Sequence, residues 1–338
     1  MIMCDRIVVL GATGYVGQIL VPALVATGRR VTMMARRRPT CVPAMASFAA
    51  CDATDRNALA EALNTADMVV NAVAGSPSTI SRVGENLASI LARRPGRRLV
   101  HVSSLAVFGQ GTGVLCEATA PLSPAFHAYA AAKLRAEAAL LAAPSLRRDC
   151  FILRPGCVYG VRAPVWSDRI GRLLLARRLG WLGSQARGWC SVVHVEDVVR
   201  AVLAALDADD GAVGVHHVVA PDSLTWNGFF ARFGLHLGLC NMASIGPVRL
   251  AAETWLAAPF DRLRAKFGRP GSDVITPSMR RLFRRRAIVV QRRTPLLAPS
   301  SFRPLEAGLA EAAASLLQRQ AGAGHEKRAL SRASVSAS

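Results

Sequence analysis

Tyr129 and Lys133 stand four residues apart in an alanine-rich stretch, Ala125 to Ala143, that reads as one helix stopped by Pro144. At that spacing a phenol and an ammonium share a helix face. A tyrosine with an ordinary pKa of about 10 exchanges protons poorly at neutral pH, and a neighbouring positive charge lowers that value toward the working range. The pair is therefore suited to moving a proton onto or off an oxygen. Taken alone, Tyr-x-x-x-Lys is more often an aromatic core residue beside a surface lysine. Here it has company: Leu99-Val-His-Val-Ser103-Ser104-Leu-Ala-Val-Phe-Gly109 puts two hydroxyls at a strand end ahead of the tyrosine.

A second constellation lies near the N-terminus. Gly11-Ala-Thr-Gly14-Tyr-Val-Gly17 follows a β-branched run directly and opens an apolar-periodic helix, the setting that a nucleotide-binding glycine loop requires. Gly11 would allow the tight turn, Gly14 would let the backbone approach a pyrophosphate, and Gly17 would let helix and strand pack closely. The helix N-terminal amides would then face the phosphates. Farther on the chain reads Val31-Thr-Met-Met-Ala35-Arg36-Arg37-Arg38, with arginines where an NAD-preferring fold offers a carboxylate to the ribose. Arg36 or Arg37 could pair with a 2′-phosphate, so NADP(H) is favoured and NAD(H) is the alternative. Asp52, at the end of the third strand, suits the adenine amino group, whereas Asp55 better fits the N-cap of the helix from Asn57.

The elements that must position these residues alternate. Strands are expected near 6–10, 30–34, 46–50, 67–72, 98–103 and 150–154, and helices over 16–26, 57–63, 81–93 and 125–143. That order predicts an α/β fold, a doubly wound parallel Rossmann sheet spanning 1–160. Beyond Gly160 the alternation loosens into a basic helical segment near 167–179, an extended piece at 191–195 and a helix over 197–206. Residues 190–222 are expected to return to the sheet. Residues 161–189 and 223–319 are expected to form a smaller substrate-binding lobe over its carboxyl edge. From 320 onward the chain is polar without apolar period, which predicts a disordered tail.

Taken together, the motifs resemble the extended short-chain dehydrogenase/reductase family, NAD(P)-dependent and epimerase/dehydratase-like, over roughly residues 5 to 220. Arg154-Pro-Gly-Cys-Val-Tyr-Gly160 is similar to that family's nicotinamide-lining segment, and Val193-His-Val-Glu-Asp-Val198 to a later architectural motif. The resemblance implies Ser104 as the hydroxyl that binds the reacting carbonyl, Tyr129 as acid/base and Lys133 as its partner. It implies a cofactor contact set of Gly11, Thr13, Gly14, Tyr15, Val16, Gly17, Arg36, Arg37, Asp52, Ala53, Ala72, Tyr129, Lys133, Pro155 and Val158. The expected activity is hydride transfer to or from a carbonyl or carbinol carbon. One alternative is a nucleotide-sugar epimerase or dehydratase with bound NAD(P), in which Arg162, Arg169 and Arg172 would meet a diphosphate. The other is a non-catalytic NADP(H)-binding regulator or assembly subunit. Two departures weigh against the sugar-nucleotide alternative: no acid near Ala35, and no asparagine in 161–190 after the Pro-x-x-x-Tyr-Gly-like motif. Dimerisation through the helix that bears the tyrosine is common in the family, which admits a homodimer.

Composition sets outer limits. The 338 residues are 51% hydrophobic, enough for a large core plus a smaller lobe. No apolar run reaches the roughly 20 residues of a membrane span. The first run leads straight into Gly11 with no room for a secretory signal, so a soluble cytoplasmic protein is expected. Eight cysteines at irregular positions, without Cys-x-x-Cys or a histidine cluster, predict reduced, mostly buried thiols and no metal. The formal net charge of +20 is spread over separated arginine groups and has no nucleic-acid-binding signature. An anionic substrate or a weak membrane-surface contact is a better match to it than nucleic acid, and Arg280 to Arg286 has no assigned role.

Overall fold

The structure is a computed structural model and describes residues 5–122, 127–222, 224–255, 273–292 and 296–335, with side chains up to residue 322. It divides into two compact units. The first comprises residues 1–157, 191–221 and 287–302, the second residues 158–190, 222–286 and 303–338.

The first unit is built on β1 (Arg6–Leu10), β2 (Arg30–Ala35), β3 (Ala46–Ala50), β4 (Met68–Asn71) and β5 (Arg98–Val102). A short β6 (Gly113–Leu115) precedes β7 (Cys150–Pro155), and β8 (Cys157–Tyr159) leads out toward the second unit. The chain returns at β9 (Val192–His194) and β10 (Gly214–Val218), and later at β11 (Ala287–Val289). Seven strands form one sheet in the order β10-β7-β5-β4-β1-β2-β3, parallel throughout. The six expected strands all appear in it, and β10 adds a seventh beside β7.

Parallel strands need crossovers, and helices supply them. These are α1 (Tyr15–Ala26), α2 (Arg56–Ala62), α3 (Pro77–Leu91), α4 (Ala128–Ala142) and, after α5 of the second unit (Ile170–Leu175), α6 (Val195–Asp207). Helices α1 and α6 pack together, as do α3 and α4. The α3–α4 approach is close because Gly84 has no Cβ, which would lie 2.4 Å from that of Ala136. A core of Val8, Val69, Leu99 and Ile152 from the sheet meets Leu59, Val83, Leu87 and Leu140 from α2, α3 and α4. Register aligns the carboxyl ends: Leu10 sits opposite Asn71, Asn71 opposite His101, and Val102 opposite Leu153. Residues 287–302, expected in the smaller lobe, belong instead to this unit, because β11 pairs in parallel with β6.

The second unit contains α5, α7 (Trp226–His236), α8 (Pro247–Trp255), α9 (Pro277–Arg284) and α10 (Leu305–Val335). Its core is aromatic, with Trp226 packed edge-on or tilted against Trp166, Phe229, Phe230 and Phe283. The basic helix expected over 167–179 is shorter. A π-turn spans Pro164–Arg169, and α5 ends before Arg177, whose φ of 52° cannot continue it. The disordered tail expected from 320 is corrected as well: the backbone is helical to Val335. Alanine, glutamate, lysine and arginine are strong helix formers, a signal that the missing apolar period concealed. Of seven described cysteines, three are buried, two are half-buried and two are exposed, fewer buried than expected.

Candidate active site

The glycine loop joins β1 to α1 in a conformation that side chains would block. Gly11 has φ +74°, and a Cβ there would lie 2.7 Å from the carbonyl carbon and oxygen of Ala72. A Cβ on Gly17 would lie 2.3 Å from Gly11 O and 2.7 Å from the Ala12 Cα. Gly14 caps α1 and donates its amide to Gly11 O at 2.9 Å, with Thr13, Tyr15 and Val16 around it. No acid occupies the first turn of α1, so its positive end faces the loop uncompensated. A loop this bare of side chains at a helix N-terminus can hold a pyrophosphate. Gly17→Ala is expected to weaken binding of either nicotinamide nucleotide by more than tenfold and to lower the melting temperature, because overpacking against backbone costs roughly 1–3 kcal/mol. Unchanged binding in a fluorescence titration would show that the loop does not seat the nucleotide.

Arg36 and Arg37 lie exposed just beyond β2. Arg36 is close enough to Asp52 to help hold that carboxyl below its usual range, although the larger cause is hydrogen bonding from Thr54. The Asp52 carboxylate takes the Thr54 amide at 3.0 Å and hydroxyl at 2.8 Å. Asp55 is the N-cap of α2 and accepts from the Asn57 and Ala58 amides. The Asn86 amide fixes the next turn through the Ala53 and Thr54 carbonyls, both at 3.1 Å.

The residues expected to transfer the proton lie toward the ends of β4 and β5. Lys133 is buried, and its Nζ donates to Val102 O at 2.7 Å and Val73 O at 3.2 Å. Val73 follows Ala72, the residue that touches Gly11, so one short segment links glycine loop and lysine. Ser104 caps the turn after β5, and its side chain lies near enough to the Tyr129 phenol to act on its pKa. Burial raises the Tyr129 pKa, and the neighbouring Ser104 hydroxyl works against that rise. Burial pulls Lys133 down to about 8, opposed by the charge of Glu137. Ser104, Tyr129 and Lys133 are thus brought together. Pro155 ends β7, whereas Val158 lies in β8 within the second unit.

Glu137, one turn beyond Lys133, is 1% exposed and is absent from the residues singled out in the sequence. Its carboxylate accepts from Arg154 Nε at 3.1 Å and Nη2 at 2.6 Å, and from the Ser103 hydroxyl. The signal that could have found it is a second spacing of four after Tyr129 and Lys133, an acid on the same buried face. Arg154, noticed only as part of a motif, also lies over the Phe108 ring, 5.2 Å from its centroid. His101 receives a bond from the Asn71 amide at 2.9 Å, and burial and then Lys133 hold its pKa well below the ordinary value. The imidazole beneath the lysine is therefore neutral. Among the described residues no cluster of potential metal ligands occurs.

A seven-stranded parallel α/β sheet with a bare glycine loop between its first strand and helix is the architecture of dinucleotide-binding proteins. The family model described as the NAD dependent epimerase/dehydratase family matches residues 7–220. The chain belongs to that family and is an NAD(P)-dependent enzyme. It is 27% identical over 220 residues to the 4-hydroxy-2-methyl-3-oxo-4-farnesyl-3,4-dihydroquinoline-1-oxide ketoreductase of Stigmatella aurantiaca, covering 61% of this chain. It spans just under two thirds, 66%, of that relative. Sterol demethylase protein B of Methylococcus capsulatus is 28% identical over 64% of this chain and 70% of its own length. Among solved structures, a human epimerase family protein with NADPH is 25% identical at TM-score 0.63, over 91% of this chain and 99% of its own. MoeE5 in complex with UDP-glucose and NAD shares the fold at TM-score 0.65 and 20% identity, over 94% and 99% of the two chains. Among the described residues no helix is long and apolar enough to cross a membrane.

Proposed function

We propose that the protein is an NADP(H)-dependent oxidoreductase acting on a carbonyl or carbinol carbon, with Tyr129 as proton donor and acceptor. The nearness of Ser104 to the Tyr129 phenol, with Lys133 buried one turn on and held by the Val73 and Val102 carbonyls, carries this reading. The nicotinamide cofactor supplies or accepts the hydride when bound. Gly11, Gly14 and Gly17 would cradle its pyrophosphate, and Arg36 or Arg37 its 2′-phosphate. Lys133 spends two of its three donors on Val73 O and Val102 O, which leaves the third for a ribose hydroxyl. In the reductive direction Tyr129 holds its proton through neutral pH and delivers it to the oxygen that Ser104 orients. Domain roles follow the same reading: the first unit binds the nucleotide and the second shapes the substrate.

An internal epimerase cycle is the second reading, favoured by the solved structures that carry sugar nucleotides and NAD. Against it, Arg172, one of the expected diphosphate ligands, is already paired with Asp273 at 2.6 Å. One relative is named a ketoreductase, which favours the reductase reading.

Titration with NADPH and NADH tests the cofactor. NADPH is expected to bind on the order of tenfold or more tightly, since a charge-assisted bond to phosphate is worth roughly 1.5–3 kcal/mol, and Arg36→Asp is expected to erase the preference. An NADH preference in the wild type would reject the arginine assignment. A carbonyl panel then separates the two reactions: a reductase consumes NADPH one for one, and an epimerase shows no net change.

A further inference from the structure

We propose that the second unit carries a docking surface for anionic lipid bilayers, centred on α8 and Trp181. Charge is the first observation. That unit holds 22 Lys and Arg against 8 Asp and Glu, a formal +14 of the chain's +20. The excess thus lies on the unit without the glycine loop.

Helix α8 supplies the second observation. Its inward side buries Leu250 and Thr254. Val248, Ala252 and Trp255, at spacings of four and three, line one outward stripe, with Val248 82% and Trp255 64% exposed. An amphipathic helix of a globular unit ordinarily turns polar residues to water, so an apolar stripe on the outer side marks a surface that is covered in use. Trp181 extends it. Its backbone bonds to Ala243 O and from Ile245, at the start of the α8 segment, and its indole is 50% exposed.

Guanidinium groups flank this apolar patch. Arg177 and Arg249 are exposed, and Arg249 is held against the Arg177 carbonyl at 2.8 Å. Arg178 pairs with Glu253 on α8. Helix α9 packs on the Gly183–Ala186 turn just past Trp181; it buries Met279 and Phe283 and exposes Arg281 and Arg284, followed by Arg286. The run Arg280 to Arg286 thereby acquires a role. Tryptophan and valine beside arginines match an interface where apolar acyl chains lie under anionic headgroups. Nucleic acid would use the arginines and leave the apolar stripe in water.

Co-sedimentation of the full chain with phosphatidylcholine vesicles, with and without phosphatidylglycerol, tests the surface. Anionic vesicles are expected to bind on the order of tenfold or more tightly than neutral ones, and high salt to reverse this. Val248→Ser with Trp255→Ser is expected to cut binding on the order of tenfold. So is Arg177→Gln with Arg281→Gln and Arg284→Gln. Circular dichroism melts unchanged from the wild type keep these exposed variants comparable. Equal binding to both vesicle types, no binding at all, or full binding by the stripe variant would overturn the proposal. Tight retardation of a nucleic-acid duplex that displaces vesicles, with the stripe variant unaffected in both assays, would overturn it in favour of nucleic acid. None of these readouts depends on catalysis.

Discussion

Tyr129→Phe is expected to lower kcat about a thousandfold, within the 10²–10⁴ range of positioned general acids, while NADPH affinity stays within a few-fold of the wild type. Phenylalanine keeps the ring in place beside His127, 6.1 Å between centroids, and removes only the hydroxyl near Ser104. Because burial raises the phenol's pKa, the free protein carries the proton that a reduction needs. Ser104→Ala should cost less, since water can replace an orienting hydroxyl but not the donor itself. Stopped-flow measurement of NADPH oxidation in the presence of a reducible ketone checks both. If Tyr129→Phe turns over as fast as wild type with that ketone, the proton comes from elsewhere and the proposed chemistry fails.

Much of the scaffold was legible because its signals are local. The runs at Arg6–Leu10 and Met68–Asn71 are apolar, and the first ends in a glycine-rich turn; both settle as buried central strands within a residue or two of expectation. β10 hid because it reads Gly-Val-His-His-Val, with two histidines in a row. Their burial depends on partners that only the fold brings: His216 bonds to Ala212 O at 2.7 Å, and His217 to Val290 O at 3.2 Å, on the return from β11. Glu137 hid for the same reason. An acid in a helix ordinarily faces water, and its partner Arg154 sits 17 residues later in a strand. The Tyr129, Lys133 and Ser104 spacings, by contrast, are confined to one helix and one strand end, so the sequence carried them without help from the fold.

Glu137 is also where the second large effect is expected. Glu137→Ala leaves the Arg154 guanidinium, 2% exposed, without its counter-charge, and breaking a buried pair in this way costs roughly 3–5 kcal/mol. The melting temperature of the first unit should fall on the order of 10 °C. A second consequence distinguishes positioning from mere support. Lys133 has a pKa of about 8 in the fold against 10.5 unfolded, so over that window the unfolded chain binds the extra proton and stability rises with pH. The Glu137 carboxylate resists that depression; removing its charge moves the lysine pKa further down, and the alkaline limb of kcat/KM should move down with it. Glu137→Gln paired with Arg154→Met removes both charges while preserving bulk, and should recover most of the lost stability. The shifted pH profile should persist, because the carboxylate facing Lys133 is still missing. Recovery of stability and of the wild-type profile together would show that the ion pair only holds β7 against α4. A restored melting temperature with the alkaline limb still displaced would make Glu137 the residue that keeps Lys133 charged beside Tyr129.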